Sequence, residues 1–453
     1  MSYLEKTTSG MSDGNLKIWT LSFWMKRAKL GSEQFLWSWG ENNSNDGKLL
    51  FGSGDQLVFM NDGQCGSNQT MTRALRDTNG WYHIVWRCKA DEGSNDNRWK
   101  LYINGELIPA SEYGSPSISN ADGIVNKWST QDNWHCGNAR SQQSGSINPF
   151  YGTLSHIHFC DGYAYDASDF GETDATTGEW KIKTYPSVSY GTNGYFILKD
   201  GNSGTDESPN SNNFTTVGTI TKTEDNPSHV FATFNPLLSM NSSMSLANGN
   251  TKATTGNGYD AGRSNSYFST LGMTKGKYYA EFKVVTAPST ACLIGVGYDL
   301  SSAQQGTTTN QYNLSFTNLG FSYNSVGSIG NDGDGWTSTG YDTYTADDYI
   351  GIAIDCDNWK LYVSKNGTWQ NSGTGFSITA DKEYFFAVSD NNGAQVYVYE
   401  ANFGNGCFGS TQLTGTTYNG ADGNGIFKYD PNNITLDSTT KSFKSLSTKG
   451  LNA

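Results

Sequence analysis

Aromatic side chains set in polar loops are the residues here whose types could do chemistry. Trp128, Trp134, Trp336 and Tyr341 sit among Asn, Asp, Ser, Thr and Gly instead of in alternating apolar runs. A sugar ring stacks on such a face while nearby amides and carboxylates take its hydroxyls. Trp336, with Asp334 before it and Thr337-Ser338-Thr339 after it, is the strongest of the set. The competing account, a Trp folded under its own loop in a small apolar cluster, is the commoner one.

Hard oxygen ligands gather at Asn43-Ser44-Asn45-Asp46-Gly47, Asn95-Asp96-Asn97, Asn331-Asp332-Gly333-Asp334-Gly335 and Asp355-Cys356-Asp357-Asn358. Ca²⁺ takes oxygens from flexible loops, so Asp46, Asp96, Asp332 and Asp334 are candidate ligands of a structural Ca²⁺. The same residues are ordinary turn formers, because Asp and Asn bond their own backbone and Gly supplies positive φ. None of the runs has EF-hand spacing. His156 and His158 share one side of a strand, with Asp161 just beyond. Alternation with Ile157 and Phe159 accounts for them without a metal, and His83 falls to the same account.

Catalysis has little to stand on. A glycosidase needs two carboxyl groups flanking the scissile bond, one to protonate and one to attack or to activate water. Glu33 and Glu41 flank Trp37 and Trp39, but their spacing puts them on no common strand face. Neither a Gly-x-Ser-x-Gly elbow nor a phosphate-cradling Gly-Lys-Ser/Thr loop occurs. The expectation is a protein that is not an enzyme.

The elements that must position these residues are strands. Period-two aromatic and β-branched runs recur, as in Leu21–Met25, Trp81–Trp86, Tyr278–Val284, Tyr349–Ile354 and Gln395–Tyr399. Gly, Asn, Asp and Ser clusters punctuate them, and no amphipathic helix period lasts three turns. Aromatics at 13% with 53 Gly and 16% charged residues fit short strands and many turns. The predicted fold is all-β: two tandem antiparallel jelly-roll sandwiches with an extended C-terminal tail. Expected boundaries are 1–225 for the first domain, 226–245 for a linker, 246–410 for the second domain and 411–453 for the tail. Asp96–Gly105 and Asp357–Gly367 echo one another, each a Trp/Leu/aliphatic alternation closed by Asn-Gly.

Charge excludes some partners. With 30 Lys+Arg against 43 Asp+Glu, the net charge of −13 gives no basic footprint for nucleic acid or an anionic membrane. No stretch reaches the length of an apolar membrane span, so no membrane insertion is expected. The start, Met1-Ser2-Tyr3-Leu4-Glu5-Lys6, lacks the signature of a signal peptide. The cysteines are 7 in number and scattered, which suits free thiols made in a cytoplasm.

Residues 17–107, through Thr20-Leu21-Ser22-Phe23-Trp24-Met25-Lys26-Arg27, Trp81-Tyr82-His83-Ile84-Val85 and Leu101-Tyr102-Ile103-Asn104-Gly105-Glu106, resemble a laminin-G-like jelly roll of the concanavalin A type. Residues 276–403 resemble a SPRY domain, most specifically through Leu361-Tyr362-Val363-Ser364-Lys365-Asn366-Gly367-Thr368-Trp369. Connecting phrases such as Asp166–Thr173, Phe231–Leu237 and Phe427–Pro431 are similar to segments of tailed-bacteriophage structural proteins. That resemblance implies a virion component of tail, fibre or outer capsid, made in the host cytoplasm. It implies contacts with other virion proteins, a homo-oligomer, and attachment to a host surface glycan or surface protein through loops. The rival expectation is a purely architectural virion part without a host ligand.

Overall fold

In Ile18–Arg27 the alternation of apolar and polar positions is resolved into two faces. Trp19, Leu21, Phe23 and Met25 enter a shared core, while Thr20, Ser22, Trp24 and Lys26 point the other way. The computed structural model describes the chain except residues 1, 9–13, 16, 43–44, 62–68, 94, 113–132, 139–147, 200, 202, 239–243, 256–265, 288–291, 299, 301–313, 315–319, 332–334, 391–394 and 453. The side chains of residues 39–42, 45–46, 60–61, 95–96, 331 and 335–338 are likewise outside the description. The chain divides into two compact units, Met1–Ile220 and Thr221–Ala453.

Among the described residues of the first unit, two antiparallel sheets enclose the core. The seven-stranded sheet runs in the order Thr215–Val217, Tyr3–Thr7, Asn133–Cys136, Gln34–Asn42, Asn45–Phe51, Gln56–Asn61, Gln69–Ala74. The six-stranded sheet runs Tyr195–Ile197, Gly152–Asp161, Ile18–Arg27, Tyr82–Lys89, Trp99–Ile103, Glu106–Leu107. Indole rings dominate between them: Trp19 meets Trp86 edge-on at 5.0 Å and Trp99 at 5.8 Å. The far face of the six-stranded sheet is not bare. Ala167 and Phe170 bury Val85, Tyr102 and Cys160, with Tyr165, Trp180, Val188 and Tyr190 packed alongside.

The second unit repeats the plan. Its larger sheet runs Ser245–Ala247, Lys252–Thr254, Val398–Asn402, Lys277–Thr286, Tyr349–Asp355, Lys360–Lys365, Thr368–Trp369. Its six-stranded sheet runs Ser266–Phe268, Phe385–Asp390, Cys292–Gly297, Gly320–Asn324, Ser328–Asn331, Gly335–Thr339. Tyr278, Ala280, Phe282 and Val284 from one sheet pack with Ile294, Val296, Phe386 and Val388 from the other. The molecule is thus all-β, built of antiparallel sandwiches.

Two segments differ from expectation. Of the expected linker 226–245, the described residues 226–238 belong to the second unit: Ala232 and Phe234 are buried in its core, and Ala232 N–H donates to the carbonyl of Leu446. The last forty-odd residues are no extended tail. Lys444–Ser445 adds to Lys277–Thr286 as a parallel strand, and Leu446 enters the core. Phe427, Leu436 and Phe443 cover Tyr279, Ala353 and Tyr362 on the outer face of the larger sheet. Sparse apolar anchors suffice there because each is fully buried against a sheet that already exists.

Candidate functional site

The residues singled out from sequence do not converge. Trp134 lies in Asn133–Cys136 and is a core residue at 0% exposure, 5.8 Å from Phe159 and 5.6 Å from Tyr195. Its loop-like neighbourhood misled because that strand is only four residues long. Trp336 lies in a strand, Gly335–Thr339, paired with Ser328–Asn331, and not in a loop. Tyr341 is half-buried against the second core, 5.9 Å from Tyr323, and burial raises its hydroxyl pKa. Trp128, Asp332 and Asp334 lie outside the described residues. The backbone places Asp46 in Asn45–Phe51 opposite Gly40, and Asp96 in the one-turn helix Asn95–Arg98.

Among the described residues, no three His, Cys, Asp or Glu side chains gather as metal ligands would. The Asp355–Asn358 run does not fit Ca²⁺. Asp355 Oδ1 accepts the N–H groups of Asp357 and Asn358, and Oδ2 accepts Asn358 Nδ2 and the Lys441 ammonium at 2.9 Å. Its oxygens are spent on a turn and a cation.

Ser22 and His83 sit 2.9 Å apart, which invites comparison with a nucleophile and its base. Trp180 Nε1–H donates to His83 Nδ1 at 3.0 Å, and an indole nitrogen can only donate. His83 therefore carries its proton on Nε2 and donates to Ser22 Oγ, so it cannot take the hydroxyl proton. Burial lowers its pKa to about 3, and Trp24 stacks on the ring at 4.7 Å. His158 is also buried, with Nδ1 paired to Tyr190 OH at 2.9 Å and the ring stacked on Phe196 at 3.9 Å. Both histidines belong to the packing between the six-stranded sheet and its covering layer.

A cleft of about 350 Å³ opens where the C-terminal layer crosses the larger sheet of the second unit. Tyr279, Ser364, Gly367 and Trp369 from the sheet side line it, and Thr416, Tyr418, Lys428, Tyr429 and Asp430 from the covering layer complete it. The tight turn Asn366-Gly367 has φ of 49° and 83°, the mirror-image geometry that suits two-residue hairpins. Glycine is required at 367 for a second reason: a Cβ there would lie 2.5 Å from the Tyr429 ring. Tyr418 and Phe427 exchange backbone hydrogen bonds, which sets the spacing of the covering strands. The Lys428 ammonium lies over the rings of Tyr349 at 4.8 Å and Tyr429 at 5.6 Å.

Glu281 stands behind this cleft at 0% exposure. Oε2 accepts Lys428 N–H at 2.9 Å and Asn402 Nδ2 at 3.0 Å; Oε1 accepts Tyr429 N–H at 2.7 Å and Tyr279 OH at 3.3 Å. Burial pushes its pKa up to about 7, against the lowering effect of those hydrogen bonds. The residue opposite Glu281 in the neighbouring strand is Gly351, whose missing side chain leaves room for the hydroxyls of Tyr279 and Ser364.

Aromatic walls, hydroxyls, one cation and one carboxylate make a surface suited to holding a polar ring-shaped ligand. They do not make a glycosidase: among the lining side chains only Asp430 carries a carboxyl group, and Glu281 behind them has both oxygens engaged. The sequence reading missed this site because half of it comes from the segment expected to be a tail. The available signal was the aromatic spacing Tyr418, Phe427, Tyr429.

Residues 6–169 match the family model of the concanavalin A-like lectin/glucanases superfamily, about a third of the chain. No curated protein matches the chain. The SPRY domain of human HERC1 is similar at 16% identity, covering 40% of this chain and 99% of that one, with a TM-score of 0.30. A Bacteroides ovatus protein provisionally named a carbohydrate binding protein is also similar at 16% identity, covering 48% of this chain and 56% of its own, with a TM-score of 0.30.

Proposed function

We propose that this is a non-catalytic carbohydrate-binding protein whose second unit takes a saccharide in the cleft between Trp369 and Tyr429. The observation that carries the proposal is the cleft itself: about 350 Å³, with Trp369, Tyr418 and Tyr429 as ring faces and Thr416 as a hydroxyl partner, over a floor of buried Tyr279 and Ser364. The match of residues 6–169 to a lectin-containing superfamily supports a sugar-binding role for the first unit. The finer proposal is a tailed-phage virion component attaching to a host surface glycan as a homo-oligomer among other virion proteins. It is supported by the phage-like phrases Asp166–Thr173, Phe231–Leu237 and Phe427–Pro431. A structural Ca²⁺ held by Asp46 or Asp96 belongs to the same proposal.

The test is a glycan array probed with the protein displayed multivalently, with calcium and with EDTA. Trp369→Ala is expected to weaken any selective signal at least about tenfold, the value of about 1.4 kcal/mol. A signal that survives both Trp369→Ala and Tyr429→Ala moves the site elsewhere. Silence across a dense, broad array favours the architectural reading of a virion part without a host ligand.

A further inference from the structure

Among the side chains that line the cleft, Lys428 alone is basic, and it is half-buried. Its ammonium stands 4.8 Å from the centre of the Tyr349 ring and 5.6 Å from that of Tyr429. Ring faces attract a cation and fix its place, but they carry no counter-charge. No described carboxylate lies within ion-pair distance of this ammonium, and no described oxygen accepts a hydrogen bond from it. Glu281 meets Lys428 through the backbone N–H. The lysines nearby are neutralised. Lys283, which also faces Tyr349 at 5.9 Å, pairs with Asp347 at 3.5 Å. Lys365, beside the Asn366-Gly367 turn, pairs with Asp348 at 3.3 Å, and Lys441 of the covering layer pairs with Asp355 at 2.9 Å.

The cleft thus offers an ammonium with three donors to whatever enters it. Asp430, the carboxylate of the lining, is exposed and turned to its own loop, where Oδ1 accepts Asn432 N–H at 2.9 Å and Asn432 Nδ2 at 3.2 Å. We propose that the cleft takes an acidic saccharide, its ring against Trp369 and Tyr429 and its carboxylate or sulfate on the Lys428 ammonium. A neutral sugar would leave a ring-fixed, half-buried cation without a counter-charge. An anionic substituent makes a charge-assisted hydrogen bond there, stronger than a hydroxyl makes. The net charge of −13 opposes anions at long range, but salt screens it over about 8 Å, whereas the ion pair forms at contact.

The inference rests on the cleft being the saccharide site, and the test separates the two. The full chain is titrated calorimetrically with uronate-bearing oligosaccharides and their carboxyl-reduced forms, and with sulfated oligosaccharides and their desulfated forms. In at least one pair the acidic form is expected to bind at least about fivefold more tightly. Lys428→Met abolishes that preference and leaves the affinity for the neutral form unchanged; it keeps the backbone N–H that Glu281 holds. Lys428→Arg retains the preference. Asp430→Asn strengthens binding of the acidic form only, because it removes a like charge and keeps the oxygen that Asn432 uses. Equal affinity for both members of every pair, lost on Trp369→Ala, overturns the inference and leaves the cleft as a neutral-sugar site. A preference that survives Lys428→Met also overturns it. No binding by either member of any pair overturns the inference and the cleft reading together. If Lys428→Met does not fold, the paired titrations of the unmodified protein and of Asp430→Asn still decide.

Discussion

At the scale of single residues, two buried charged groups, Arg27 and Glu281, have partners that bear on their protonation or on that of the group they meet. Arg27 illustrates the first unit. Its guanidinium is wholly buried, 3.0 Å from Asp55, and lies 3.9 Å over the Phe51 ring. Burial alone would raise the Asp55 pKa; bonds from Gly31 N–H, Arg76 and Arg27 outweigh it and hold the carboxyl below its usual range. A depressed carboxylate contributes stability above its unfolded pKa, near 4, and loses it as pH falls through the folded value. Asp55→Asn leaves Arg27 charged and unpaired, and is expected to cost about 3–5 kcal/mol at neutral pH in urea unfolding of the first unit. The same variant should show a shallower loss of stability in acid. Glu281 runs the other way. Its raised pKa makes the folded state bind the extra proton between about 4.5 and 7, so its contribution to stability declines as pH rises through that window.

At the scale of elements, the two Asn-Gly hairpins repeat one device. Asn104-Gly105 has φ of 48° and 83°, nearly identical to Asn366-Gly367. Each glycine receives an aromatic from a covering layer: a Cβ at 105 would lie 2.5 Å from Trp180, and one at 367 would lie 2.5 Å from Tyr429. Gly367→Ala therefore meets both a left-handed backbone and a ring. It is expected to destabilise the second unit by about 1–3 kcal/mol in urea and to weaken any cleft ligand in parallel. The covering layer of the second unit is likewise an element of the fold. Leu446→Ala is expected to cost about 2–5 kcal/mol, as in any well-packed core, whereas an extended tail would tolerate it. Denaturant unfolding of the second unit measures the difference.

At the scale of the whole molecule, each unit closes its own core, with chain segments wrapped over a sheet face that would otherwise meet water. No described helix is long and apolar enough to cross a membrane. The division at Ile220 and Thr221 makes a fragment expectation. Residues 221–453 should unfold cooperatively, and a fragment starting at 246 should be less stable or insoluble. It lacks Ala232 and Phe234, which fill the core, and the strand-like contacts of Phe231 with Ser447. Thermal unfolding of the two fragments separates these outcomes.

The all-β class, the period-two strands and the Asn-Gly turns were legible in the sequence because they are local. Alternation in Ile18–Arg27 or Lys277–Thr286 states which residues share a face, and Asn-Gly states where the chain reverses. What covers the outer faces was not legible. Trp134 in a four-residue strand resembles a loop aromatic until its partners from distant strands surround it. The C-terminal anchors look sparse until they meet a sheet whose strands Lys277–Thr286, Tyr349–Asp355 and Lys360–Lys365 lie well before them in the chain. The cleft is the product of that long-range docking. Glu281 and Tyr429 are 148 residues apart, and only tertiary structure brings a buried carboxylate to the backbone it holds.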